Sequence, residues 1–303
     1  MTFHMSSAQL IQALSMEPSC DVAVVMVVYK TGPVLFETIA RVQADVSVDQ
    51  LILVDNGSTD EDADRLAEIA DSDPRVLLLQ GHGNIGFARG ANLGASVSKA
   101  RWLVFLNPDA FLELGAVDAL IDAARGNAAR PVVVGARVLN PDRTEQRGAR
   151  RGEVTPFTTL VSLARLARFF PILKGFEIHK EHETLPEAPI AVPTISGACF
   201  CVSRDDFRKL RGFDGRYFLH VEDVDLCWRA RNQGGVVLFQ PSAEVVHLGH
   251  TSHVEPTFVE WNKGKGLVRY FLKRADSPAR LMLALGLAPL ILIVSLVRSY
   301  RPR

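Results

Sequence analysis

The chain reads as an α/β protein with a mostly parallel sheet covered by helices. Three observations predict this class. Strand-like and helix-like segments alternate through four strands between Asp21 and Leu106, with short connections. The strand-like segments are nearly unbroken runs of valine, leucine and isoleucine, as strands buried on both faces require. The last of these runs, Trp102 to Leu106, stops at Asn107-Pro108-Asp109. Proline cannot continue a ladder, so an amide and a carboxylate stand at a strand's carboxyl end, where open α/β sheets place their ligands.

Bulk properties narrow the function. The 34 Lys and Arg balance 34 Asp and Glu, so no global basic field invites nucleic acid. The cysteines, at 20, 199, 201 and 227, have no metal-site spacing. Cys199 and Cys201 fit one face of a strand, and a reducing compartment is expected. Residues 1–19 lack the basic and apolar regions of a signal peptide and read as a lead-in with a short amphipathic turn around Leu10 to Leu14.

In chain order, the β-branched run from Asp21 to Tyr29 is the first strand. Thr31-Gly32-Pro33 opens a helix with proline in its first turn. Gln50 to Val54 is the second strand, closed by the turn chemistry of Asp55-Asn56-Gly57-Ser58-Thr59-Asp60, which also caps a helix to about Ala70. Val76 to Gln80 is the third strand, followed by Gly81-His82-Gly83-Asn84-Ile85-Gly86 and a helix over Phe87 to Ser98. Gly81, Gly83 and Gly86 match the dinucleotide fingerprint, with Asp109 near the place of its ribose-binding acid. Against an NAD(P) enzyme, the fingerprint normally follows the first strand of its unit. The other reading has the glycines admit a sugar-nucleotide while Asn84 and Asn92 supply amide hydrogen bonds.

Past a helix at Gly115 to Arg125 and a strand at Pro131 to Val138, the alternation stops. Residues 140–155 are basic and turn-rich. Phe157 to Leu173 has the pattern of a helix lying on a membrane surface or packed on the body with Arg165 and Arg168 in water. Thr194 to Val202 is a strand entered through small residues, suited to a wall against a substrate or to tight packing. Glu222, Asp223 and Asp225 begin a helix that stops at Gly234-Gly235. Acids there are stabilised by the helix dipole, which is a structural role, or they serve chemistry. After a strand at Val236 to Gln240, His247 stands where it can hydrogen-bond in a loop or act as an imidazole ligand.

Seven pieces, in order over residues 21–252, resemble the inverting glycosyltransferase family 2: Val27-Val28-Tyr29, Val54 to Asp60, Gly83 to Ala88, Leu106 to Asp109, Gly212-Phe213-Asp214, Glu222 to Asp225, and His247-Leu248-Gly249-His250. Asn-Pro-Asp and the passage from Gly-Phe-Asp to Glu-Asp are similar to the bacterial rhamnosyltransferase branch. The resemblance implies a GT-A fold, with a Rossmann-like nucleotide half and an acceptor half. It implies transfer of a sugar, rhamnose among the candidates, from a nucleoside diphosphate to a hydroxyl of a polyprenyl-linked or cell-surface glycan. Tyr29, Asp55, Asn56, Asn84, Gly86 and Asn107 would hold the donor nucleotide. Asp109 and His247 would bind Mg²⁺ or Mn²⁺ across the diphosphate. Asp223, beside Glu222, would be the general base. The family's first metal-site acid is Asn107 here, and an amide oxygen is a weaker ligand for a hard cation than a carboxylate, which puts strict metal dependence in question.

Leu281 to Val297 is seventeen residues without charge. As a helix it would span about 25 Å, short of the roughly 30 Å hydrocarbon core. Residues 263–303 carry nine Lys or Arg against Asp276 alone, a balance suited to an anionic leaflet. The organisation expected is a lead-in (1–19), a glycosyltransferase domain (20–262, divided near 139/140) and a membrane-associated tail (263–303). Such a protein would work at the cytoplasmic face of the bacterial inner membrane. A non-catalytic sugar-nucleotide-binding module is a third reading; the presence of Asp109, Asp223 and His247 argues against it.

Overall fold

A computed structural model describes residues 21–249, 251 and 254–300. The expected lead-in, Cys20, His250 and the last three residues lie outside the described residues. The first half follows the alternation: β1 (Val22–Val28), α1 (Val34–Ala44), β2 (Gln50–Asp55), α2 (Asp60–Ser72), β3 (Val76–Leu79), α3 (Phe87–Val97) and β4 (Trp102–Leu106). Every residue of these four strands is buried, because helices cover both faces of the sheet. They pair in parallel in the order β3-β2-β1-β4.

The second half adds β5 (Ala110–Leu112), α4 (Ala116–Arg125), β6 (Val132–Leu139), β7 (Arg150–Arg151) and α5 (Pro156–Ala164). Then come β8 (Ile190–Ala191), β9 (Thr194–Ile195), β10 (Cys199–Ser203), α6 (Arg204–Lys209), α7 (Glu222–Asn232), β11 (Val236–His247), α8 (Pro256–Lys273) and α9 (Pro278–Ser299). Among the described residues the main sheet has nine strands and continues from β4 through β10, β6 and β11 to β5, with β8 beside β11. The sheet is mixed in this half. β10 enters antiparallel to both β4 and β6, so it joins the nucleotide half to the rest by backbone hydrogen bonds. Cys199 and Cys201 sit on one face of β10, while Phe200 points to the other and stacks on Phe105 with centroids 5.0 Å apart.

Four elements differ from the sequence reading. The strand expected at Thr194 to Val202 is two: β9 pairs with β7 in a small separate sheet, and β10 enters the main sheet. Phe157 to Leu173 is not one helix: α5 ends at Ala164, Arg165 turns left-handed (φ 56°), and 3₁₀ turns at Leu166–Arg168 and Pro171–Phe176 follow. Those turns leave Phe169, Phe170 and Ile172 exposed. The strand expected at Val236 to Gln240 continues through Pro241 to His247 as β11, whose register with β6 shifts between Gln240 and Glu244. The division expected at 262/263 falls inside α8, which packs on α7: a Cβ on Gly266 would lie 3.0 Å from Val221 Cγ2.

Ser277 caps α9 by accepting the N–H of Arg280. Ala284, Ile291 and Ser295 form its buried edge against α8, and Arg298 donates to the Leu163 carbonyl at the end of α5 (3.1 Å). The opposite face is apolar and open, with Met282 70%, Ile293 58% and Val297 54% exposed. By length and composition, α9 is apolar enough to cross a membrane.

Candidate active site

The parallel register sets the site. Val28 lies beside Asp55 and Val25 beside Phe105, so Tyr29, Asn56 and the turn Asn107–Asp109 line up along the carboxyl edge of β1, β2 and β4. Asp55 Oδ1 accepts the N–H groups of Gly57 (2.9 Å) and Ser58 (2.8 Å), shaping the turn after β2. Asn56 is buried and donates to the Gly86 carbonyl (3.2 Å), and its Oδ1 meets His82 Nε2 (3.1 Å). Asn84 Oδ1 accepts the N–H of Gly86 (3.0 Å). Tyr29 is half-buried beside Gly57.

The glycine loop is built for the chain around it. Gly86 has φ 82°, and a Cβ there would stand 2.6 Å from the Phe218 carbonyl oxygen. Its loop follows β3, at the edge of the sheet, and not the strand beside the crossover where dinucleotides bind. The NAD(P) reading loses its main support here. Asn92 is spent on structure as well: its amide bridges the N–H and carbonyl of Phe213, both at 2.8 Å.

Asp109 and His247 come together because β5 and β11 pair antiparallel, with His247 opposite Ala110. His247 Nε2 lies 3.1 Å from Asp109 Oδ1 and 3.2 Å from the Asn107 amide nitrogen. Thr251 donates to Asp109 Oδ2 (2.9 Å). Burial alone would raise the Asp109 carboxyl, but His247 and Thr251 outweigh it and hold it below the usual range. Gln146, which the sequence reading did not single out, fixes the imidazole. Its amide nitrogen donates to the His247 carbonyl (3.0 Å) and to Asn140 Oδ1 (3.2 Å), so its oxygen faces His247 Nδ1 at 2.7 Å. Gln146 therefore occupies the Nδ1 edge of the ring and turns Nε2 toward Asp109 and Asn107. Nε2 and the carboxylate oxygen, 3.1 Å apart, can share a proton or, with that proton gone, face a metal ion together.

These residues fit a divalent ion with a small protein ligand set. No cluster of three or more His, Cys, Asp or Glu converges among the described residues. Mg²⁺ sites often use one or two carboxylates and complete their shell with substrate phosphates and water.

Asp223 stands on the other side of the same wall. Asn107 N–H donates to the Ala198 carbonyl (2.8 Å), while the N–H of the adjacent Gly197 donates to Asp223 Oδ2 (3.1 Å). Consecutive residues thus tie the Asn107 turn to the acidic pair. A Cβ on Gly197 would lie 3.3 Å from Asp223 Cβ, which accounts for a small residue at this place in the wall. Arg151, absent from the sequence-derived site, donates from one nitrogen to Asp223 Oδ2 and to the Ile195 carbonyl. Val224 N–H donates to Asp223 Oδ1 (2.8 Å). Burial pushes Asp223 upward, yet the Arg151 guanidinium and the Val224 N–H hold it below its ordinary value. Glu222 behaves oppositely. It is buried, its Oε2 has no hydrogen-bond partner, and burial beside the Asp223 charge raises its carboxyl. The pair therefore divides into an ionised Asp223 and a proton-holding Glu222. Both follow Val221, a β-branched residue at φ 73°, a conformation costing about 1–3 kcal/mol and typical of functional sites.

The sequence profile of Glycosyl transferase family 2 matches residues 23–211. The chain belongs to this family. The enzyme is a glycosyltransferase, and the non-catalytic reading falls away. It is 32% identical over 252 residues to the N-acetylglucosaminyl-diphospho-decaprenol L-rhamnosyltransferase of Mycobacterium tuberculosis, covering 76% of each chain. The fold is GT-A. Solved structures like it include GalNAc-T7 with UDP, GalNAc and Mn²⁺ (TM-score 0.60, 17% identity, 86% of this chain). This glycosyltransferase spans about half of that chain, 51%. A mannosyltransferase of Pyrobaculum calidifontis with GDP-Man and Mn²⁺ is also similar (TM-score 0.56, 16% identity, 96% of this chain and 80% of that one).

Proposed function

We propose that the enzyme transfers a sugar, with inversion, from a nucleoside diphosphate to a hydroxyl of a lipid-linked or cell-surface glycan. Rhamnose is the first sugar to test, given the mycobacterial relative. The observation that carries the reading is the corner where Asp109 and His247 Nε2 converge beside a wall that also holds ionised Asp223.

In this reading Tyr29, Asp55, Asn56, Asn84, Gly86 and Asn107 form the donor-nucleotide edge. Asp109 and His247 hold Mg²⁺ or Mn²⁺. When bound, the ion would neutralise charge developing on the departing diphosphate. Asp223 takes the acceptor proton; Arg151 and the Gly197 N–H hold its carboxylate in place. Glu222 keeps its proton and adds no second negative charge. With one base on one side of the reacting carbon, no covalent intermediate is called for. The open face of α9 attaches the enzyme to the cytoplasmic side of the bacterial inner membrane, near a lipid-linked acceptor.

A donor-hydrolysis screen over dTDP-, UDP- and GDP-sugars, with Mg²⁺, Mn²⁺ or chelator, tests this function. Turnover of one nucleotide class, lost in chelator and in Asp109→Ala, is expected. Equal turnover with and without chelator would remove the metal roles of Asp109 and His247.

A further inference from the structure

The antiparallel helices α8 and α9 enclose a groove of about 400 Å³ on the side of α7 away from Asp223. Its walls combine two chemistries. Lys265, Arg269 and Lys273 stand at four-residue intervals along one face of α8, and Arg216 joins them from the loop before α7. Val268 and Leu272 of α8 and Leu292 of α9 supply an apolar floor. Leu285, seven residues before Leu292 and half exposed, continues the same edge of α9.

The charges are out of balance. Asp214 accepts Arg216 at 2.8 and 2.7 Å and Lys273 at 3.2 Å, with Arg269 at 3.9 Å. Asp225, fully buried, takes Lys273 at 2.6 Å and Arg229 at 2.7 Å. Four cations line the groove and two recessed carboxylates lie behind them, so surplus positive charge faces the opening. Lys265 is exposed, and its ammonium lies 5.9 Å from the Trp261 ring centroid. The direction of the groove also matters. Asp223 and Asp225 are two residues apart on α7, roughly 200° around the helix at 3.6 residues per turn. Asp223 meets Gly197, whereas Asp225 meets Lys273, so the groove backs onto the candidate base and does not open beside it.

We infer that this groove is a binding site for the phosphate headgroup of an anionic membrane lipid. The phosphate sits between Lys265 and Arg269, and the acyl chains run over Leu292 and Leu285 along the open face of α9. A cationic rim over an apolar floor, continuous with an exposed apolar helix, complements an anionic amphiphile and not a free sugar or a soluble nucleotide. Such a site would fix how the enzyme is rotated on the bilayer, with Asp223 on the far side of α7 from the held lipid. The inference rests on the proposed attachment through α9.

The test is co-sedimentation of the full chain with phosphatidylcholine vesicles, with and without phosphatidylglycerol. Wild type should bind both and bind the anionic vesicles more tightly. Lys265→Gln/Arg269→Gln should lose about 25-fold on anionic vesicles, taking roughly fivefold for each basic side chain, with neutral vesicles unaffected. Lys265→Gln alone, at an exposed position, should lose about fivefold. Lys99→Gln/Arg101→Gln, at the amino-terminal end of β4, is the control and should change little. Equal loss in the control pair would mean a diffuse field, and an unchanged groove pair would also overturn the site. If wild type binds neutral vesicles and phosphatidylglycerol adds nothing, the groove fails and attachment stands. If it binds neither, both fail. Displacement from anionic vesicles by inorganic phosphate at constant ionic strength would reassign the groove to a soluble phosphate.

Discussion

Asp223 and Glu222 are neighbours in sequence with opposite electrostatics, and the difference lies in what each oxygen touches. Arg151, Gly197 N–H and Val224 N–H all serve the Asp223 carboxylate, while Glu222 Oε2 has no hydrogen-bond partner and is removed from water. An acid already ionised at neutral pH can accept a proton from the acceptor hydroxyl; one that holds its proton cannot. Asp223→Asn keeps the shape but not the basicity. Transfer should slow by about 10² to 10⁴, or roughly 3–5 kcal/mol of transition-state stabilisation, with nucleotide affinity near wild type. Glu222→Gln resembles the protonated acid and should keep most of the rate. Steady-state transfer and nucleotide titration on both variants decide the matter; the reverse pattern would make Glu222 the base.

Among the elements, the turn from β3 to α3 is the most constrained. Gly86 must admit the Phe218 carbonyl, which accepts the Phe87 N–H at 2.8 Å, and its own carbonyl receives the Asn56 amide. One glycine therefore joins the first helix after the loop, the segment leading to α7, and the turn after β2. Gly86→Ala adds a clash to a left-handed strain, and a loss of roughly 1–3 kcal/mol is expected. Gly83 also has a positive φ, 66°, but nothing lies within 4 Å of its would-be Cβ. Gly83→Ala should cost clearly less, with only the conformational penalty to meet. Chemical denaturation of both variants measures the difference, and equal losses would show that the Phe218 contact carries no weight.

At the scale of the molecule, α9 is docked by one edge and open on the other. Removing it would uncover α8, so polar substitutions on its outer face are the cleaner experiment. Met282→Ser, Ile293→Ser and Val297→Ser leave Ala284, Ile291 and Ser295 in place. Each lost apolar side chain should weaken membrane partitioning by roughly 1.5 kcal/mol or more if it is buried in lipid. The triple variant should move from the membrane fraction to the supernatant. It should lose activity on a lipid-linked acceptor while retaining it on a short soluble analogue. Retention in the membrane fraction would point to Phe169, Phe170 and Ile172, which are also exposed.

The sequence by itself determined the parallel half of the sheet, because four unbroken β-branched and leucine-rich runs have only one stable environment, burial on both faces. Local chemistry also located Asn107 and Asp109 at a strand end, the turn after Asp55 and the start of α7. The antiparallel entry of β10 was not legible, since a buried strand has the same composition in either direction. Nor was the break of the Phe157 to Leu173 stretch into one helix and two 3₁₀ turns, which its apolar spacing does not encode. Tertiary structure alone decided the partners of the site. Gln146 reaches His247 across 101 residues and Arg151 reaches Asp223 across 72. A glutamine or arginine in a polar turn looks the same in sequence whether it faces water or a buried acid. Proton placement on Asp223 and Glu222 depends on such contacts, because burial and neighbouring charge shift a carboxyl only once the chain has folded.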